Sequence, residues 1–405
     1  MDGIGRYAGI DWAKDRHAVC VVDERGGAVA RFEVEHTDAG LRELVRRLED
    51  VEGVAIERPD GPVVEALLEA DLPVVVIASR HVKALRARHG LAGNKDDRAD
   101  AYILADALRT DGQRLRPLRP DAPETVALRA SVRARKDLVG HRTALAQQLA
   151  AHLALAFPGA VDLFDELASP IARAFLVRFP TMERAAWLSP KRMTAWLAAQ
   201  GYSGRRRGAE FHARLAAAPP GVSGPSADAL AAVTLALVAA VAAIDEQAKA
   251  LEARIAEQLG RHPDRAVFTS LPRAGRVRAA ALLAEIGDRR ERFPTPESLA
   301  CLAGVTPSTR ASGQHRAVSF RYTCDKKMRE ALIDFAQDSR RANPWAEDLY
   351  RRARERGKSH PHAVRILARA WVYVIWRCWQ DRVPYDPARH GALQRVILAS
   401  TGVAA

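Results

Sequence analysis

The sequence predicts two fold classes in one chain, α/β at the front and all-α behind it, from three observations. Residues 6 to 36 hold three strand-type runs, RYAGIDWAK, AVCVVDE and AVARFEVEH, with ERGG before the third as a hairpin signal. Helical and strand patterns then alternate: DAGLRELVRRLED leads to GVAIE, PVVEALLEA to LPVVVIA, and HVKALRARHG to DDRADAYILADALR. After the proline-bearing stretch RLRPLRPDAPET the strand signals stop, and long helical patterns take over.

Three antiparallel strands followed by alternating α and β units describe a ribonuclease-H-like layout, predicted over residues 1–117. Residues 118–265 read as a helical, coiled-coil linker region. Its first helix, 124–156, carries the basic run Arg129, Arg133, Arg135, Lys136 and Arg142. Its last, 226–261, places Leu230, Thr234, Leu237, Val241, Ile244, Ala248, Leu251 and Ile255 at alternating spacings of four and three, a heptad seam. That seam can pair with residues 124–156 or with another subunit. The intervening GYSGRRRGAEFHARLAAAPPGVSGPS reads as a mobile Gly, Pro and Arg-rich loop, whose Arg205 to Arg207 either solvate it or touch phosphate. Residues 266–390 form a mainly helical third region. It opens with TSLPRAGRVRAAALLAEIGD, similar to a helix-hairpin-helix; its Gly turn serves either helix packing or phosphate contact.

Composition points to an anionic partner. With 62 Lys plus Arg against 49 Asp plus Glu, the formal charge is +13, a field that attracts phosphate backbones, although a basic residue can equally solvate a helix face. Cys20, Cys301, Cys324 and Cys378 lie far apart without a CxxC pair, which argues against a zinc ribbon or disulfide framework and fits a reducing cytoplasm. The start lacks a secretory pattern, and no apolar run is read as long enough to span a membrane, so a soluble cytoplasmic protein is expected.

Four carboxylates stand in a telling order. Asp11 and Glu57 each close an apolar β-type run, while Asp97 and Asp100 open an amphipathic helix three residues apart, on one face. Clustered carboxylates suit Mg²⁺ or Mn²⁺, and phosphodiester chemistry often uses such ions in pairs about 3.5 to 4 Å apart. Asp96 leaves a second helix-compatible pairing open, with Asp100 at four residues. Downstream, LAGVTPSTRASGQHRAVSFRYTCDKK offers a serine beside glycine amid Arg310, His315 and Arg316; a hydroxyl there can attack phosphorus, and Ser308, Thr309 and Ser319 share the segment.

These residues together resemble the DEDD-type insertion-sequence transposases, serine-dependent recombinases guided by a bridge RNA. The likeness is carried by GIDWAK, Glu57, NKDDRADA with LADALR, LPRAGRVRAAALLAEIGD, LAGVTPSTRASGQ and RARERGKSHPHAVRILARAWVYVIW, over about residues 5–110 and 266–386. The resemblance implies that Asp11, Glu57, Asp97 and Asp100 hold Mg²⁺ (or Mn²⁺) in a RuvC-like domain, and that Ser312, directly before Gly313, becomes joined to DNA. It further implies donor and target DNA, a structured guide RNA, and a homo-oligomer, dimer or tetramer, in which one subunit's carboxylates meet another's serine. Three other readings compete: a DNA invertase with the same two domains, a RuvC-like structure-specific nuclease that leaves the C-terminal motifs without a purpose, and a nucleic-acid-binding scaffold.

Other conspicuous residues read more simply. Trp371, Ile375, Trp376 and Trp379 at helical spacing are core candidates before they are base-stacking candidates. His360 and His362 have no matching metal ligands nearby, whereas Lys326, Lys327, Arg351, Arg352, Arg354, Arg356 and Lys358 are phosphate-contact candidates as a group.

Overall fold

A computed structural model describes residues 5–88, 96–312 and 315–400, with the side chains of Arg88, Arg310, His315 and Arg316 outside that description. The GNK part of the acidic motif and Gly313 of the serine motif therefore lie outside the described residues. The chain divides into two compact units, one ending at Pro120 and one beginning at Asp121.

The first unit is built on a five-stranded sheet in the order β3-β2-β1-β4-β5. Strands β1 (Arg6–Asp11), β2 (Arg16–Asp23) and β3 (Ala28–Glu35) form an antiparallel meander, and Asp23 accepts from the amides of Arg25 and Gly27 to shape the ERGG turn. Strands β4 (Gly53–Ile56) and β5 (Val74–Val76) run parallel to β1. This is the ribonuclease-H-like strand order that the sequence pattern predicts.

Period-two alternation sorts the side chains between two apolar clusters. Ala8, Ile10, Val19, Val54, Ile56 and Val74 share one with residues of helices α1 (Asp38–Arg47) and α2 (Pro62–Glu69). Cys20, Ala55, Val75 and Ile77 lie on the other face, toward α3 (Ser79–Arg88) and α4 (Asp97–Asp111). Gly9 belongs to that second face, where a Cβ would overlap the Ala101 carbonyl and the Ala105 amide nitrogen of α4. Only hydrogen at this position lets α4 lie backbone to backbone on β1.

The second unit is almost wholly helical. Helices α5 (Pro123–Ala156) and α10 (Pro225–Arg261) pack along each other, so the heptad seam finds its partner within the chain. Of the predicted seam, Thr234, Val241, Ala248 and Ile255 are buried and Leu230, Leu237, Ile244 and Leu251 only half-buried, with Ala231 and Val238 buried beside them; His152 Nε2 meets Thr234 Oγ1 at 2.9 Å across the pair. The basic run on α5 is largely matched by acids of the same unit: Arg133 to Glu285 (2.7 Å), Arg135 to Glu252 (2.6 Å), Arg142 to Asp245 (2.6 Å), Arg129 to Asp121 and Lys136 to Glu330.

One end of this pair carries a small lobe made of α6 (Pro170–Arg178), α7 (Met182–Ala185), α8 (Pro190–Ala199) and α9 (Gly208–Ala217), around Phe157, Phe164, Phe175, Phe179 and Phe211. Ten residues of the segment expected as a mobile loop are therefore helix α9, and Phe211 is fully buried. The polar letters that suggested a loop serve the lobe instead: Arg206 pairs with Asp165 at 2.5 Å, and the Arg207 amide donates to Glu210.

At the other end, α11 (Arg265–Thr269), α12 (Gly275–Ile286) and α13 (Pro296–Leu302) precede a hairpin, β6 (Ser308–Ser312) with β7 (His315–Ser319). The hairpin corrects the expectation that strands end before residue 124. Helices α14 (Lys326–Ser339), α15 (Pro344–Glu355), α16 (His360–Asp381) and α17 (Gly391–Ser400) complete this end. Its core holds Trp371 and Trp379, whose indole nitrogens donate to Ser339 Oγ and the Gly287 carbonyl at 2.9 and 3.0 Å. Trp376 donates to the Phe293 carbonyl at 2.8 Å, so these tryptophans are packing residues with satisfied polar edges.

Among the described residues, one helix, α10, is long and apolar enough by length and composition to cross a membrane, with 28% of its most apolar stretch buried. That corrects the expectation that no apolar run reaches this length.

Replacing Gly9 by valine should lower stability by about 1–3 kcal/mol or more, since its Cβ meets backbone that cannot swing aside. Gly112→Ala, whose added Cβ meets nothing nearer than Leu108 Cδ1 at 3.8 Å, should shift stability by less than about 0.5 kcal/mol. Urea unfolding of both variants measures the contrast; equal midpoints would refute the close-approach argument.

Candidate active site

Strand alternation and the close fit of α4 determine where the acidic residues go. Asp11 follows Gly9 by two residues and shares its face, and Ile10 pairs with Ile56, so Glu57 emerges beside Asp11 at the same edge of the sheet. Helix α4 begins there. Asp96 caps it, accepting from the Arg98 amide at 3.1 Å, and leaves Asp97 and Asp100 in the first turn. The Asp97 carboxyl is hydrogen-bonded to that of Asp11, so Asp97, rather than Asp96, meets the strand residue.

The cluster is charged beyond its local compensation. Burial first, then the charges of Asp97, Asp100 and Glu57, push the Asp11 carboxyl up to about 7. Asp100 is 1% exposed and takes both forks of Arg86 from α3, with Nε to Oδ1 at 2.5 Å. That hydrogen bonding holds the Arg86 guanidinium above its ordinary value, helped by the charges of Asp100, Glu57 and Asp11. Arg86 is thus a resident counter-ion, invisible in the sequence because nothing in HVKALRARHG marks which basic residue turns inward.

The ends of the two strands are braced by aromatic contacts. Arg58 lies over the Trp12 ring at 4.5 Å, and Trp12 stacks on His17, whose Nε2 meets His36 Nδ1 at 2.9 Å. Burial and His36 push His17 down to about 4, so it is neutral at physiological pH.

Among the described residues, no three His, Cys, Asp or Glu side chains stand in ready-made metal-holding geometry. The donor chemistry nevertheless fits a hard divalent cation. The Asp11 and Asp97 carboxyls are hydrogen-bonded to each other, and the acids around Asp11 raise it, so the local charge is one that a cation would offset.

Ser312 lies in the second unit, exposed, at the tip end of β6 opposite His315. Of the other hydroxyls, Ser319 Oγ donates to the Ser308 carbonyl at 3.4 Å and pairs with Ser308 at the base of the hairpin. Arg273, Arg278 and Arg341 converge on Asp338 at 3.0, 3.0 and 3.4 Å, beside the Gly275 start of α12. Several of the phosphate-contact candidates are already engaged: Lys327 with Asp137, Arg351 and Arg352 with Asp348. His360 Nδ1 meets the Tyr350 hydroxyl at 2.8 Å.

The family described as transposase, DEDD type of IS110, matches residues 8–158, and the transposase IS116/IS110/IS902 family matches residues 265–351. The "Mini-circle putative transposase for IS117" of Streptomyces coelicolor is 33% identical over 96% of this chain and 97% of its own length. The "Insertion element IS900 uncharacterized 42 kDa protein" of Mycobacterium paratuberculosis is 28% identical over 94% of this chain and 97% of its own. A solved structure, "T. thermophilus RuvC in complex with Holliday junction substrate", aligns at TM-score 0.23 and 19% identity over 28% of this chain and 99% of that one, too slight a likeness to carry an argument. With both ends of the chain matched and a relative of this identity along nearly its whole length, the chain belongs to the IS116/IS110/IS902 insertion-sequence transposases and is a DNA transposase enzyme.

Proposed function

We propose that the protein cuts and joins DNA through two chemical centres, a carboxylate tetrad of Asp11, Glu57, Asp97 and Asp100 and a nucleophilic Ser312. The observation that carries the reading is the gathering of these acids at one sheet edge, with Asp11 pushed up to about 7 by burial and by its neighbours. Mg²⁺ or Mn²⁺ held by the tetrad would supply charge neutralisation at the scissile phosphate. Arg86 holds Asp100 in orientation before a cation arrives and supplies positive charge to the cluster. Ser312 Oγ gives up its proton and forms a bond to phosphorus, while the bond to the 3′-oxygen breaks and a 3′-hydroxyl leaves. Attack by a 3′-hydroxyl on the phosphoserine reverses the exchange and joins strands without ATP.

The choice of Ser312 among the hairpin hydroxyls rests on the motif resemblance and on its exposure near the hairpin tip, in contrast to Ser319, which bonds back to Ser308. The same resemblance supports a structured guide RNA, donor and target DNA, and a homo-oligomer that brings the two centres together. The basic balance of +13 supports nucleic-acid partners in general.

Ser312→Ala should retain DNA binding yet give no protein-linked DNA after denaturation. Mass spectrometry of the wild-type adduct checks the assignment: a nucleotide on Ser308 or Ser319 moves the nucleophile. Absence of any adduct during turnover points to water-mediated cleavage, the nuclease reading.

The Asp11 shift gives a signed pH dependence. Its folded value of about 7 lies above the ordinary 3.8, so its contribution to stability is fully present below about pH 4 and is lost as pH rises toward 7. A cation must displace that proton, so Mn²⁺ affinity should rise by up to about tenfold per unit between pH 5 and 7, with proton release. Titration calorimetry in two buffers of different ionisation heat measures it. Asp11→Asn should bind Mn²⁺ weakly and without the proton; unchanged affinity in that variant would remove Asp11 from the metal set.

A further inference from the structure

Helix α16 uses its two faces differently. Leu367, Ala368 and Trp371 are buried in the core, whereas His362, Arg365, Ile366 and Arg369, spaced three, four and seven residues from the first, line a cavity of about 350 Å³. The facing wall is the stretch from Gly304 to Pro307 and the end of β7 from Val318 to Arg321. This is the base of the hairpin that carries Ser312.

Four basic side chains, Arg321, His362, Arg365 and Arg369, line the cavity, and among the described residues no carboxylate lines it, the acid nearest in charge being Glu297, which the charge of Arg369 reaches from outside. The contrast with the rest of the unit is sharp, since the run on α5 is largely matched by acids and three arginines share Asp338. Arg321 is fixed by the Thr306 and Pro307 carbonyls, which its Nε and Nη2 reach at 3.2 and 3.4 Å. The Phe320 ring lies between two guanidinium groups, Arg329 at 4.6 Å and Arg365 at 4.7 Å. Burial and the charge of Arg329 push Arg365 below its ordinary value, which marks a place where negative charge is wanting. The remaining wall is apolar, from Val305, Val318 and Ile366.

Guanidinium groups with no carboxylate in the lining around them, beside an aromatic ring and an apolar wall, offer what one nucleotide requires: cations for its phosphate and a flat or apolar surface for its base. The volume sits at the low end of the roughly 300 to 1,000 Å³ found for small-ligand pockets. We propose that this cavity takes a single nucleotide of a nucleic-acid strand, its phosphate on Arg365 and Arg369 and its base against Ile366 and Val318, and so seats the strand beside the Ser312 hairpin. The proposal rests on the reading of that hairpin as strand-cleaving and names a subsite for it.

Fluorescence anisotropy of the full chain tests it, with a labelled 20-nucleotide single-stranded DNA, the RNA of the same sequence and the DNA duplex, each across a salt series. Arg365→Gln combined with Arg369→Gln should weaken single-strand binding by about tenfold or more and flatten the log-log salt slope by up to about 0.7, one phosphate contact's worth. Ile366→Trp fills the cavity without altering charge and should weaken binding with the slope unchanged. Loss confined to the DNA or to the RNA tells which strand the cavity holds, and either supports it. A 5-iodouracil-substituted strand crosslinked to the wild type supplies a readout independent of variant folding: an adduct on Phe320 or His362, the two aromatic side chains that line the cavity, is expected, and adducts only elsewhere overturn the proposal. Wild-type binding that neither variant alters overturns the cavity alone, while a wild type that binds no strand overturns the transposition reading with it.

Discussion

The acidic end of the first unit depends on how closely α4 can approach β1. Gly9 has no side chain to hold the helix off, so the Ala101 and Ala105 backbone rests on the strand and the first turn of α4 arrives beside Asp11. A methyl group at position 9 would move the helix outward and draw the first turn of α4 away from Asp11. The site is therefore a packing property before it is an electrostatic one. Gly9, two residues before Asp11 on the same face, determines whether the four acids form a cluster or a scatter.

The charge of the chain is organised on two levels. Much of it is internal bracing: arginines of α5 hold acids on α10 and α12, and Asp338 gathers three arginines from the α12 start and the α14 end. Net charge alone does not say where a polyanion would go, because paired guanidiniums project little field. The positions that matter are those where one sign dominates locally. The acids around Asp11 are one such place and the cavity beside α16 is another, of opposite sign.

Much of this was legible in the sequence, and the unread parts have physical reasons. The meander, the alternating α and β units and the order of the four acids follow from period and punctuation, and the strand order agrees with them. The two long helices were equally readable, bounded by Pro123 and Pro225 at their starts. The lobe was not, because helices of four to ten residues capped by Ser169, Thr181 and Ser189 look like polar loop when read locally. The hairpin at Ser308–Ser319 was missed because its described side chains from Thr309 onward are exposed on successive positions and lack the alternation that burial imposes. Arg86 and the acid-free wall at Arg365 and Arg369 arise only when separate elements meet, so no window of sequence contains them.

The lobe between the long helices has an unusual attachment. The chain leaves α5 at Ala156 and comes back just ahead of α10, where the Val222 amide donates to the Ala156 carbonyl at 3.2 Å. Some sixty residues with their own aromatic core thus hang from two adjacent points. In topological terms the lobe is a cassette entered and left at one place. Its core also takes Leu149, Leu153 and Val238 of the long helices, and Arg142 and Arg173 tie it to them through Glu166 and Asp245, so its removal would uncover part of both helices.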